Sequence, residues 1–204
     1  MDPTDPNQLA SLASLFQQTL NPEQRKPAED QIGQLQAQPR FGFLLLALVQ
    51  SESTSTAIRL ASAIQFKNLC KTRWNVDAET EDPVFSAISD DEKQAIRQQL
   101  VPVLVSLASA STPSQAILSQ MNESVALVAS SDFPEAWPAL IDELVSQLST
   151  DNHHVLLSVL ATSHAIFKQW RSQFRSDALY SEINLVLGKM ANPLLELLQR
   201  MHGM

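Results

Sequence analysis

The chain has 204 residues, a formal net charge of −8 and 44% hydrophobic residues. That hydrophobic share lies above the range of disordered chains, and the length allows a substantial core or one piece of an extended array. The acidic balance works against non-specific binding to nucleic acid or to anionic membranes, so neither is an expected partner.

Other global features narrow the class further. Only four Gly are present and strictly alternating Val/Ile/Thr runs are missing, which argues against a β-rich fold and for an all-α one. A single cysteine, Cys70, excludes an intramolecular disulfide and suits a reducing compartment. The start MDPTDPNQLA lacks the positive region of a secretory signal, and the most apolar run, Phe41 to Val49, is too short to span a bilayer. A soluble protein of the cell interior is expected.

In chain order, the first predicted helix covers Gln8 to Leu20, with Leu9, Leu12, Ala13, Phe16 and Leu20 at helical spacing. Asn21-Pro22-Glu23-Gln24 then reads as N-cap, N1 proline and N3 glutamine of a second helix running to about Gln38. Pro27 marks either a bend in that helix or the start of its regular part. Pro39 interrupts, and Phe41 to Gln50 is a short apolar helix.

The stretch Ser53 to Trp74 has no Gly or Pro and suits a long helix. At 100° per residue, Ala57, Leu60, Ala61, Ile64 and Asn68 share one face, and Ile58, Ser62, Gln65 and Leu69 form a second line. Apolar residues on so many sides indicate a helix packed between neighbours. We expect Asn68, on the apolar face, to bond a neighbouring backbone group. Lys67, Lys71 and Trp74, at i, i+4 and i+7, are expected to form one cationic and aromatic edge.

Asn75 to Glu92 is acidic, without a basic residue, and reads as a solvated loop around Pro83. Ser89 and Glu92 form a predicted capping box for a helix from Asp90 to about Ala108, with Pro102 inside as a kink. Thr112-Pro113-Ser114-Gln115 opens the next helix, to about Ser130. Asp132-Phe133-Pro134 is a turn, and Trp137-Pro138 begins a helix ending near Leu148. Asn152 caps a helix from His153 to about Phe174. The last segment runs from Asp177 to Met201, either as one helix or as two divided at Asn192-Pro193.

Nine or ten helices in succession, joined mostly by short polar turns, match the helix-pair arrays of HEAT or armadillo type. Phe66-Lys67 followed by Arg73-Trp74 is echoed 101 residues later by Phe167-Lys168 followed by Trp170-Arg171. No catalytic or cofactor constellation emerges. His153, His154, His164 and His202 lack partners at metal-ligand spacing, and four scattered glycines make no phosphate loop. Asp90-Asp91-Glu92 lacks the second carboxylate cluster that a magnesium site of the prenyl-transferase kind needs. The basic strips Lys67/Lys71 and Lys168/Arg171/Arg175 remain as the candidate functional face.

Two sets of residues carry a family resemblance. Arg25-Lys26-Pro27-Ala28-Glu29, then Ala63-Ile64-Gln65-Phe66-Lys67-Asn68 running into Lys71-Thr72-Arg73-Trp74, resemble the N-terminal domain of the importin-β superfamily. Asp132-Phe133-Pro134-Glu135-Ala136-Trp137-Pro138, His164 to Arg171 and Glu182 to Leu187 resemble the CAS-type exportins of that superfamily.

The resemblance implies an all-α, right-handed α-solenoid of HEAT repeats. Residues 1–204 would be an N-terminal fragment of about four to five helix pairs, with the importin-β N-terminal region at about 21–108. It also implies an exportin that binds Ran in its GTP form together with importin-α, touches nucleoporins, and shuttles between nucleus and cytoplasm. An import receptor of the same superfamily, or a HEAT scaffold independent of Ran, are the alternatives. The chain would be no enzyme and need no cofactor or metal. The helices lining the concave face would carry the Ran contacts, with Lys67 and Lys71 as lead residues and Arg25, Lys26 and Lys168 behind them. Asn68, Trp74 and Trp137 are expected to be structural. An interrupted solenoid would leave Leu187, Met190, Leu194 and Leu197 open for self-association.

Overall fold

A computed structural model describes residues 1–75 and 87–202. Most of the expected acidic loop, residues 76–86, lies outside the described residues. Among those described there are nine α-helices and no strand: α1 (Pro6–Thr19), α2 (Arg25–Gln36), α3 (Phe41–Gln50), α4 (Thr56–Arg73), α5 (Asp90–Ser109), α6 (Gln115–Asp132), α7 (Leu140–Ser146), α8 (His153–Gln169) and α9 (Asp177–His202). One turn of 3-10 helix extends α7 over Gln147–Ser149, and another extends α8 over Trp170–Ser172.

The packing is that of a HEAT solenoid. Helices α1 and α2, α3 and α4, and α5 and α6 pair, and the 3-10 extension of α7 lies on α8. Along one layer α1 touches α3, α3 touches α5 and α7 touches α9; along the other, α4 packs on α6 and α6 on α8. One continuous apolar core runs through both layers from Leu12 in α1 to Leu197 in α9. Gly42 allows the closest approach within it: a Cβ there would stand 3.2 Å from Ile96 Cδ1 and 3.3 Å from Leu69 Cδ2, so α3 nests against both α4 and α5.

At two side-chain caps, Asn152 and Ser89, the sequence boundary and the helix agree, whereas α1 starts at Pro6, two residues before its expected start, with the Asp5 carboxylate accepting from Asn7 N–H at 2.9 Å. The Asn152 carboxamide accepts the backbone N–H groups of His154 (3.0 Å) and Val155 (3.3 Å), and α8 starts at His153. Ser89 Oγ accepts from Glu92 N–H at 3.4 Å, and α5 starts at Asp90. The other half of that expected capping box is absent. Glu92 Oε2 accepts instead from the backbone N–H of Arg40 at 3.0 Å, so from the first turn of α5 it serves the start of α3. Arg40 has left-handed φ 66°, uncommon for a non-glycine, and its guanidinium lies 5.8 Å from the Phe43 ring centre.

The three proline start signals place their helices too early. Asn21 Oδ1 accepts from Glu23 N–H (3.1 Å) in a side-chain turn, and α2 begins at Arg25 with Pro27 in its first turn. Likewise α6 begins at Gln115 after Pro113, and α7 at Leu140 after Pro138. In each case proline's fixed φ serves the turn before the helix. Of the two alternatives at Asn192-Pro193 the single helix is the one formed, because α9 runs unbroken through Pro193 for 26 residues.

Candidate partner-binding surface

Helix α4 is packed between neighbours, as its many-sided apolarity implies, but its faces are reversed. The buried side carries Ile58, Ser62, Ala63, Phe66, Leu69, Cys70 and Arg73. The line Ala57, Ile64, Asn68 and Lys71 is exposed, with Ile64 at 39%. The reason is volume: Phe66 and Leu69 displace more water than alanines, and their side wins the core. Asn68 is therefore exposed, not buried. In this helix its backbone carbonyl accepts from the Thr72 hydroxyl at 2.8 Å, and the inward amide bond expected of its side chain is not formed.

The expected Lys67–Lys71–Trp74 edge divides as well. Trp74 is 2% exposed and donates its indole N–H to Asp132 Oδ1 at 3.0 Å. Lys67 is half-buried and ion-paired with Glu123 of α6 at 3.3 Å. Lys71 is exposed beside Asn68. Trp137 is buried at 3%.

Cross-helix bonds set the direction of the layer. Lys67 meets Glu123, Asn75 Nδ2 donates to Ser131 Oγ (2.7 Å), and Trp74 meets Asp132, so α4 and α6 run parallel. The hydroxyls of Ser158 (3.2 Å) and Thr162 (3.0 Å) lie against Asn122 Oδ1, and Gln169 Nε2 donates to the Ala126 carbonyl (3.1 Å), so α8 runs the same way. Lys71 and Lys168 thus stand at similar height on either side of α6, at about twice the ordinary 8–10 Å interhelical spacing.

Arg25 and Lys26 do not join them. The C-terminal end of α2 (Gln36, Ala37 and Gln38) lines a cavity with Leu69 and Arg73, which leaves the N-terminus of α2 about 15 Å away. Arg25 Nε there donates to the Thr19 carbonyl at 3.0 Å.

Burial pushes the Cys70 thiol up, so it is an inert core residue. Burial lowers the Arg73 pKa from its ordinary value, while the nearby Glu92 raises it. Among the described residues no group of His, Cys, Asp and Glu could hold a metal ion, and no helix is long and apolar enough to cross a membrane.

Sequence reasoning missed Asp132, which it took for a turn residue. The carboxylate ends α6, where the helix dipole disfavours an acid, and that mismatch was the available signal of a specific partner.

The importin-β N-terminal domain model matches residues 28–106, and the Cse1 model matches residues 166–204. Between them they cover more than half of the chain, which belongs to the importin-β superfamily of transport receptors. Within that superfamily the chain is similar to the Cse1-type exportins. It is 35% identical to Exportin-2 of Drosophila melanogaster over 201 residues, 98% of this chain and 20% of the relative. It is 36% identical to the importin alpha re-exporter of Saccharomyces cerevisiae over 191 residues, 94% of this chain and 19% of the relative. A solved structure of the exportin Cse1 in its cargo-free, cytoplasmic state superposes with a TM-score of 0.81 at 33% identity, over 94% of this chain and 20% of that one. The chain spans about a fifth of the length of the relatives it matches.

Proposed function

We propose that the chain is part of a RanGTP-dependent nuclear export receptor that returns importin-α to the cytoplasm. The observation that carries this reading is the agreement of almost the whole chain, in fold and in a third of its residues, with the exportin Cse1. The receptor shuttles between nucleus and cytoplasm and has no catalytic step of its own, since nucleotide hydrolysis belongs to Ran.

The Ran surface in this reading is the exposed side of α4, α6 and α8 toward their C-terminal ends, with Lys71 and Lys168 as its cations. Lys67 contributes less directly, because Glu123 already neutralises it. Arg25 and Lys26, at the far end of α2, reach a different part of the partner. The grooves between successive odd-numbered helices, such as that lined by Phe43, Ala47 and Ala95, are apolar enough for nucleoporin side chains.

Retention of importin-α by the full-length receptor, with RanGTP, RanGDP or no Ran, tests the reading. An exportin holds importin-α only when RanGTP is present. Release of cargo by RanGTP would identify an import receptor, and indifference to nucleotide would identify a scaffold.

A further inference from the structure

Asp132 stands where the two layers meet, and four elements converge on it. Its side chain is buried at the end of α6, with 7% of the residue exposed. One carboxylate oxygen accepts the indole N–H of Trp74 at the end of α4, and the other is ion-paired with Arg97 of α5. Its backbone carbonyl accepts the N–H groups of Ala136 (2.7 Å) and Trp137 (2.8 Å), on the approach to α7. The partners are themselves enclosed: the Arg97 side chain is 14% exposed, and Trp74 is among the largest fully buried residues.

We propose that Asp132 is a latch that makes α4, α5 and α6 move as one rigid body, leaving the solenoid to bend at the next junction. A buried acid with donors from two other helices accepts only one arrangement of all three. Any relative shift of α4 or α5 would leave a charge or an indole N–H unpaired in the core. Networks of this kind specify geometry more than they add stability.

Among the described residues the following junction has no buried ion pair. Between α6 and α8 the buried contacts are neutral, from Asn122 to two hydroxyls. Where α5 and α7 meet, contact is slight and an open groove of about 620 Å³ lies beside it, lined by Val101, Pro102, Val105 and Glu143. A bend there closes or opens the groove without breaking an ion pair.

Amide hydrogen exchange on Arg97→Met tests the latch, because methionine keeps the apolar bulk and Arg97 has no bond to α4 other than through Asp132. The expected result is exchange faster by about tenfold or more in residues 67–74 and 133–137 together, with α8 unchanged and protection restored by Arg97→Lys. Trp74→Phe should loosen the region around Arg97 in the same way. Acceleration confined to the substituted helix, or spread evenly through α8 and α9, would overturn the proposal.

Discussion

Helices α4 and α9 are both long and carry apolar residues on more than one side, yet their surroundings differ. Helix α4 packs against α1, α3 and α6, and Phe66 and Leu69 vanish into the core. Helix α9 packs on α7 and its 3-10 extension, burying Met190 and Leu197 and leaving Leu187 at 55% and Leu198 at 64% exposure. Two of the four residues expected to lie open on that helix are thus buried, because α7 covers one side of it. The contrast teaches that in a stacked array a helix's apolar pattern records all its neighbours, whereas its burial depends on those present.

The largest effect that should separate the two helices is on stability. Phe66→Ala should destabilise the chain by about 3–5 kcal/mol, because it empties a fully enclosed site. Leu198→Ala should stay within about 0.5 kcal/mol, as exposed substitutions do. Urea denaturation of both variants measures the difference, and similar losses would break the comparison.

The second effect concerns association. The exposed stripe of α9 should make the 204-residue chain self-associate as its concentration rises, and Leu187→Glu with Leu198→Glu should return it to monomer. Sedimentation velocity reads this directly. A wild-type chain that stays monomeric at high concentration would mean that the stripe is too narrow to pair.

The smallest effect lies at Glu143, in the groove between α5 and α7. Burial raises its pKa above the ordinary carboxylate range, against a smaller lowering by the nearby Trp137 indole, and among the described residues its Oε2 has no hydrogen-bond partner. The folded state therefore holds this proton to higher pH than the unfolded chain does. The stability it contributes is present below the unfolded pKa and is lost as pH rises through the folded one. Glu143→Gln should raise the thermal midpoint by about 1–2 °C at pH 7, with the gap closing as the pH falls through the carboxylate range. A gap independent of pH would assign the effect to packing.

Much of this architecture was legible in the residues, and the failures have identifiable physical causes. Side-chain caps such as Ser89 and Asn152 act locally, so the starts of α5 and α8 could be read directly. The count of nine or ten helices followed from periodicity together with caps, prolines and turn residues, and the packed state of α4 from its many-sided apolarity. Which face of α4 is buried did not, because a 100° wheel groups residues without weighing Phe66 and Leu69 against four smaller or polar ones. The bonds of Glu92 to Arg40 and of Asp132 to Trp74 and Arg97 join residues 35 to 58 positions apart, beyond any local pattern. For the candidate surface, the fold sorts by position the cations and aromatics that the sequence grouped. Lys71 and Lys168 come to the same end of the layer, but Trp74 turns inward and Arg25 and Lys26 lie at the other end.

The affinity of the full-length receptor for RanGTP, measured for wild type, Lys71→Glu and the pair Arg25→Glu with Lys26→Glu, tests the central claim most directly. Lys71 is the clean probe, since reversing Lys67 would also set two acids together at Glu123. The account predicts that Lys71→Glu weakens binding about tenfold with an unchanged thermal midpoint, and that the α2 pair has a smaller effect. Wild-type affinity in a folded Lys71→Glu receptor would contradict it.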